Sequence, residues 1–271
     1  MELKGSTVIV SGASSGIGRA AAVRFARAGS NVVLASRNGE ALEALARELA
    51  GLPGRRLVVP TDVSDRDAVF AMVERAVGEF GSIEVLVNNA GLGLNATVVE
   101  GGLENIRRVF EVNFFGAVNC VQAAVPHMKQ RRRGAIAIVS SVVGRLAPPY
   151  SGAYAATKGA LNALTDSLRL ELGPYGIKVT AVYPGYTITR FGENLLRELE
   201  IARPSRLVRG VSAEAVGRAI VRAVREGRRE AYVTRGDAAA VMIKNVSPRL
   251  IDWGMRRLWL SGRRPEEGRG R

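Results

Sequence analysis

With 271 residues and 47% hydrophobic content, the chain is long enough for one large α/β domain with a substantial core. No apolar run approaches the roughly 20 residues that span a bilayer, and strand-like sequence begins directly after Lys4 without a signal-peptide pattern, so a cytoplasmic protein is expected. The net charge of +14 gathers after residue 202, where 17 basic residues face 7 acidic ones, yet 34 of all 39 basic residues are Arg spread along the whole chain; a solvated basic face is therefore expected, and nucleic-acid binding is not.

In chain order, Thr7–Val10 reads as a strand that Ser11 to Gly18 turns into a helix running to Ala28. Glycines at Gly12, Gly16 and Gly18 let the backbone approach a pyrophosphate, and the free amides where the helix begins, around Ser14, Ser15, Gly16 and Ile17, attract an anion. The next strand, Asn31–Ser36, ends in Ser36-Arg37. Dinucleotide-binding folds place there either an acid for a ribose 2′-hydroxyl or an Arg for a 2′-phosphate. With no acid present, NADP(H) is the expected cofactor, held by Arg37 with Ser14 and Arg19 as helpers.

A helix over Gly39–Ala50, a strand over Leu57–Pro60 and the pair Asp62-Val63 follow, with Asp62 placed to cap a turn before the next helix. The strand Ile83–Val87 ends in Asn88-Asn89-Ala90-Gly91, whose small residues allow close passage of a ligand. Asn113 falls in mid-helix, where Asn is not preferred. Cys120 and His127 are the only residues of their types, which excludes internal disulfides and argues against a Cys/His metal site. The apolar strand Ala135–Val139 leads to Ser141, and a helix over Gly152–Leu172 carries Tyr154 and Lys158 four apart on one face.

The strand Ile177–Tyr183 precedes Pro184-Gly185-Tyr186-Thr187-Ile188-Thr189. A lid is expected over about 187–211, with a short helical stretch around Glu193–Leu199. Ser212 caps a helix to about Arg225, and Ala231–Thr234 reads as the last strand. Strands alternating with helices specify one doubly wound parallel sheet, a Rossmann-type domain over 1–236. Residues 237–271 form a basic extension in which a helix over 248–260 sets Ile251, Met255, Leu258 and Trp259 on one face beside Arg256 and Arg257. That face is read as packing on the body or a neighbouring subunit, with peripheral membrane contact as the alternative; the tail from Arg263 is expected to be disordered.

A phenol beside an ammonium can be drawn toward the phenolate and serve as an acid or base. Tyr154 and Lys158, preceded by Ser141, together with the Gly-rich turn, the Asn-Asn-Ala-Gly strand end and the helical Asn113, resemble the classical short-chain dehydrogenase/reductase family. The spacing Gly12-x-x-x-Gly16-x-Gly18 is that family's form and departs from Gly-x-Gly-x-x-Gly; Ser11 stands where the family has Thr. The resemblance covers residues 5 to 235.

It implies hydride transfer between a nicotinamide and a carbonyl or secondary alcohol. Tyr154 is then the proton donor, Ser141 the carbonyl-oxygen partner, Lys158 the group that lowers the Tyr154 pKa and binds the ribose, and Asn113 the holder of a relay water. It further implies adenine contacts from Asp62 and Val63, a cofactor wall from Asn89, Ala90 and Gly91, and a carboxamide grip from the Pro184-Gly185 loop through Thr187, Ile188 and Thr189. Helices around 102–129 and 152–172 would form a homodimer or homotetramer. Leu94, Val142, Val143, Leu146, Tyr186 and Phe191 are expected to wall an apolar substrate pocket. A 3-oxoacyl chain on an acidic carrier protein is the competing substrate, and a cofactor-binding scaffold attached through the basic C-terminus is the competing class.

Overall fold

The computed structural model describes residues 1–189, 191–192, 195–199 and 210–259. Its first half alternates strictly: β1 (Thr7–Ser11), α1 (Gly16–Arg27), β2 (Asn31–Ser36), α2 (Gly39–Glu48), β3 (Arg56–Pro60), α3 (Arg66–Phe80) and β4 (Val85–Asn88). After a short β5 (Gly93–Asn95) come α4 (Leu103–Phe110) and α5 (Gly116–Gln130), then β6 (Gly134–Val139), α6 (Gly152–Leu172) and β7 (Ile177–Tyr183). The remainder comprises β8 (Thr187–Ile188), β9 (Leu195–Arg197), β10 (Val211–Ser212), α7 (Ala213–Glu226), β11 (Glu230–Tyr232), α8 (Arg235–Val246) and α9 (Pro248–Trp259).

Seven strands form one sheet in the order β3-β2-β1-β4-β6-β7-β11, every neighbouring pair parallel. Alternation along the strands assigns side chains to two faces. Ile9, Val33, Leu86 and Ile136 meet α3, α5 and α6 in one core. Val8, Val10, Val32, Val85 and Val87 meet α1, α2 and α7 in the other. The helices on the second face approach closely because Gly217 lies on the α1 backbone, where a Cβ would come within 2.8 Å of the Ala20 carbonyl carbon.

The chain leaves β1 toward β2 and β3, then returns past β1 to β4. The crevice beyond the carboxyl ends of β1 and β4 is thus the switch point at which such sheets take ligands. Three local expectations change. The stretch read as helical around 193–199 contains β9, which pairs in parallel with β5; strand pairing overrides local helix preference, and Glu193 lies outside the described residues. The last strand ends at Tyr232, because the Thr234 hydroxyl caps a helix, α8, that the sequence reading lacked. Parts of the lid at 190, 193–194 and 200–209, and the tail from 260 on, lie outside the described residues.

Candidate active site

At the end of β1 the Ser11 hydroxyl ties two strands together. It donates to the Val87 carbonyl at 3.3 Å and accepts from the Asn89 and Ala90 amides at 2.9 and 3.1 Å. The Asn89 side-chain amide donates to the Ser11 and Gly12 carbonyls at 3.0 and 3.3 Å, and Asn88 donates across to the Ala117 carbonyl at 3.1 Å. Gly12, at φ +67°, leaves no room for a Cβ against Ala90 and Asn89, and Gly18 packs directly on the Gly12 carbonyl. Gly16, at φ +54°, opens α1 and faces Thr189. The first turn of α1 therefore presents bare backbone toward the crevice, flanked by Ser14, Ser15 and Ile17, all half-buried.

Ser36 and Arg37 stand at the end of β2. The Ser36 hydroxyl oxygen is buried without a hydrogen-bond partner, while Arg37 is exposed. Burial raises the Asp62 carboxyl, but bonds from Ser64 and the charges of Arg37 and Arg108 outweigh it and hold the group below its ordinary value. Asp62 accepts from the Ser64 amide at 3.0 Å, closing its turn, and Asp65 caps α3. Val63 is buried against Gly116. The Arg19 guanidinium pairs with Glu48 at the surface.

Tyr154 and Lys158 share one face of α6, with the ammonium 5.8 Å from the phenol ring centroid. Ser141 arrives from the opposite side on the segment after β6, its hydroxyl donating to the Pro184 carbonyl at 3.2 Å and accepting from the Val143 amide at 3.1 Å. Burial pushes the Tyr154 phenol up, with a hydrogen bond to Ser141 pulling the other way. Burial likewise brings Lys158 down to about 8. In the free protein the net direction for Tyr154 is upward, set by desolvation of the phenolate, and not the lowering expected from Lys158.

Lys158 donates to the Val139 carbonyl at 3.0 Å. Nearby, Asn113 sits in a π-helical turn, Glu111–Phe115, inserted between α4 and α5. Its side chain accepts from the Leu92 amide at 2.7 Å and donates to the Leu92 carbonyl at 2.9 Å and to the Thr157 hydroxyl at 3.0 Å. A Cβ on Gly91 would lie within 3.7 Å of both Asn113 and Lys158. The mid-helix Asn is therefore explained by a clamp on the loop after β4.

The expected pocket walls divide. Leu94 packs in a core cluster with Leu92, Ala96 and Val109, and Val142 and Leu146 in one with Tyr183 and Val241. Val143 is half-buried and Tyr186 is exposed. Phe191 leans over the site, its ring centroid 6.0 Å from that of Tyr154 and its edge above Gly93. In the loop after β7, Thr187 donates to the Gly185 carbonyl and Thr189 accepts from the Phe191 amide. Ile188 is exposed, and β8 is pinned by pairing with β10.

Several supports were not read from the sequence. Asp237, at the start of α8, packs on Gly185, where a Cβ would approach its carboxylate oxygen to 2.5 Å. Ser140 donates to the Lys158 carbonyl at 3.0 Å and shares a hydrogen bond with Asn162 at 2.7 Å. Asn162 in turn donates to the Gly144 carbonyl at 3.2 Å, and Gly144 rests on the Lys158 backbone. Polar residues inside a helix, Thr157 and Asn162, were the available signal.

Comparison with known proteins places this geometry in company. The family model described as short chain dehydrogenase matches residues 6–200. A dehydrogenase/reductase SDR family member 7B of Mus musculus is 35% identical over 257 residues, which cover 92% of this chain and 80% of that protein. A 3-oxoacyl-acyl-carrier-protein reductase of Thermotoga maritima is 38% identical over 206 residues, 75% of this chain and 84% of that protein. A crystal structure of a short chain dehydrogenase/reductase from Burkholderia phymatum in complex with NAD superposes with a TM-score of 0.83 at 27% identity, covering 92% of this chain and 96% of that one. An NAD-bound xylitol dehydrogenase gives 0.73 at 28% identity over 82% and 92% of the two chains.

Proposed function

The chain belongs to the short-chain dehydrogenase family, whose members are oxidoreductases with a nicotinamide dinucleotide cofactor, and on that premise we propose that it interconverts an apolar ketone or aldehyde and its alcohol using NADP(H). The convergence of Ser141 on Tyr154, whose phenol lies on the same face of α6 as the buried Lys158 ammonium, carries this reading. The bare Gly12–Gly18 turn and the unpartnered Ser36 hydroxyl fit a dinucleotide. The first would receive the pyrophosphate, and Ser36 with Arg37 the 2′-phosphate. When bound, the nicotinamide supplies or accepts the hydride.

The protein's own groups handle the proton and the charge. Tyr154, kept protonated by burial, donates its phenolic proton to the substrate oxygen in reduction and recovers it in the reverse direction. Ser141 donates a hydrogen bond to that oxygen as its charge develops. Lys158 would bind the nicotinamide ribose and supply the cation that offsets the phenolate left behind, and Asn113 would hold the relay water. Asp62 and Val63 would meet the adenine, Asn89 to Gly91 would line the cofactor, and Pro184 to Thr189 would hold its carboxamide end. Phe191, Tyr186 and Val143 make the apolar side of the substrate site. The setting is cytoplasmic, and the assembly a homodimer or homotetramer through α4, α5 and α6.

NADPH oxidation against a panel of aliphatic, aromatic and steroid ketones, with NADH in parallel, tests the proposal. Turnover that prefers NADPH supports it; equal or better turnover with NADH would remove the cofactor assignment. A second substrate reading is favoured by the basic surface and the Thermotoga maritima relative: a 3-oxoacyl group on an acidic carrier protein. Turnover only with the carrier-bound substrate would select it.

A further inference from the structure

The α8–α9 hairpin displays an apolar strip that is exposed among the described residues. On α8, Val241 is 6% exposed and belongs to the core, whereas Met242, Ile243 and Val246, on the opposite side, are 69%, 41% and 88% exposed. On α9, Ile251 and Met255 pack against the cluster of Val142, Leu146, Tyr183 and Val241. The other side carries Leu250 and Trp253, 53% and 58% exposed. A turn of about 100° per residue sets Arg249, Arg256 and Arg257 on that same outward side. Arg249 and Arg256 are exposed, and Arg257 lies 5.1 Å from the Trp253 ring centroid. The face read from the sequence as packing on the body or a neighbouring subunit packs, through Ile251 and Met255, on the body; the opposite face is the one on offer.

Charge decides what covers it. From Arg235 to Trp259 there are five basic and two acidic residues. A second copy docked about a two-fold axis would bring two patches of the same net positive charge together. An anionic surface neutralises them, and an apolar strip bordered by Arg with a Trp at its edge is the pattern of a helix lying in a membrane interface. Among the described residues no helix is long and apolar enough to cross a membrane.

We propose that α8 and α9 dock the protein on an anionic lipid surface, with Met242, Val246, Leu250 and Trp253 at the acyl boundary and Arg249 and Arg256 among the headgroups. The inner face of α9 rests on Val142 and Leu146, just after Ser141, and Asp237 of α8 rests on Gly185. Docking therefore places the mouth of the candidate site next to lipid, where an apolar ketone collects; this last consequence rests on the substrate reading above, and the docking does not.

The test is flotation of the full chain, without cofactor or substrate, with vesicles of phosphatidylcholine alone and of phosphatidylcholine mixed with phosphatidylglycerol. Binding is expected only to the anionic vesicles, with release in about 1 M NaCl, where the screening length falls to about 3 Å. Two variants, Val246→Glu with Trp253→Glu and Arg249→Gln with Arg256→Gln, should each weaken partitioning by about tenfold or more at unchanged thermal melting. No binding to anionic vesicles, or binding unchanged in both variants, overturns the proposal. A drop in molar mass by light scattering for the Val246→Glu, Trp253→Glu variant, with vesicle binding unchanged, would assign the strip to a second copy instead.

Discussion

Lys158 is buried and Tyr154 half-buried, and desolvation moves them in opposite directions, the phenol up and the ammonium down to about 8. Replacing Tyr154 by Phe removes the proton donor and keeps the ring, so reduction should fall by about 10²–10⁴-fold at unchanged melting temperature; steady-state kinetics with NADPH checks this, and full activity would refute the assigned role. Lys158 gives up its proton near pH 8 when folded but has an ordinary value of 10.5. Between these values the unfolded chain binds more protons, so its contribution to stability rises with pH across that window and is unfavourable below it. Lys158→Met should therefore stabilise the free protein at pH 7, by up to about 3 kcal/mol, while abolishing reduction. Urea denaturation at pH 7 and pH 10 would show it, and a gain that fails to shrink at the higher pH would refute it. At the end of β2, Arg37→Asp should shift preference toward NADH, read as the ratio of kcat/KM for the two cofactors.

At the scale of elements, the loop after β4 and the segment around β9 are held by single side chains. Asn113 occupies both polar groups of Leu92. Asn113→Ala leaves a buried amide and carbonyl unmet and should cost about 1–3 kcal/mol for each, measured by urea denaturation. On the other side, Glu198 accepts from the Gly102 amide at 2.9 Å and from Asn105 at 2.6 Å, and its own amide donates to the Asn95 carbonyl at 3.0 Å. These bonds moor β9 to β5 and the start of α4, close to Phe191. Glu198→Ala should loosen this wall and raise KM for a bulky ketone several-fold while leaving thermal melting nearly unchanged. Neither mooring could be read in advance, because each joins residues far apart in sequence through one polar contact.

For the whole molecule, the surfaces of α4, α5 and α6 carry exposed Leu103 and Leu170, with exposed Phe115 in the π-helical turn between α4 and α5. Light scattering should report a dimer or tetramer, and Phe115→Glu with Leu170→Glu should shift it toward the monomer. These residues lie on elements other than the α8–α9 hairpin and share no contact with its exposed strip, so the two sets of substitutions should act separately.

What the sequence by itself determined is whatever depends on near neighbours and on period. The alternation of strand and helix specified the parallel sheet; Gly173-Pro174 ended the helix that carries Tyr154 and Lys158; the glycines marked the turn after β1. These follow from local backbone sterics and from burial patterns written in consecutive residues. Only the tertiary structure decided which apolar side chains near Ser141 are core and which face the site, since Leu94, Val142 and Leu146 are as apolar as Phe191. It also decided that 195–197 is a strand and that Arg19 belongs to Glu48. The sign of the Tyr154 shift was decided there too, because desolvation depends on everything packed around a group and not on the residue four positions along its helix.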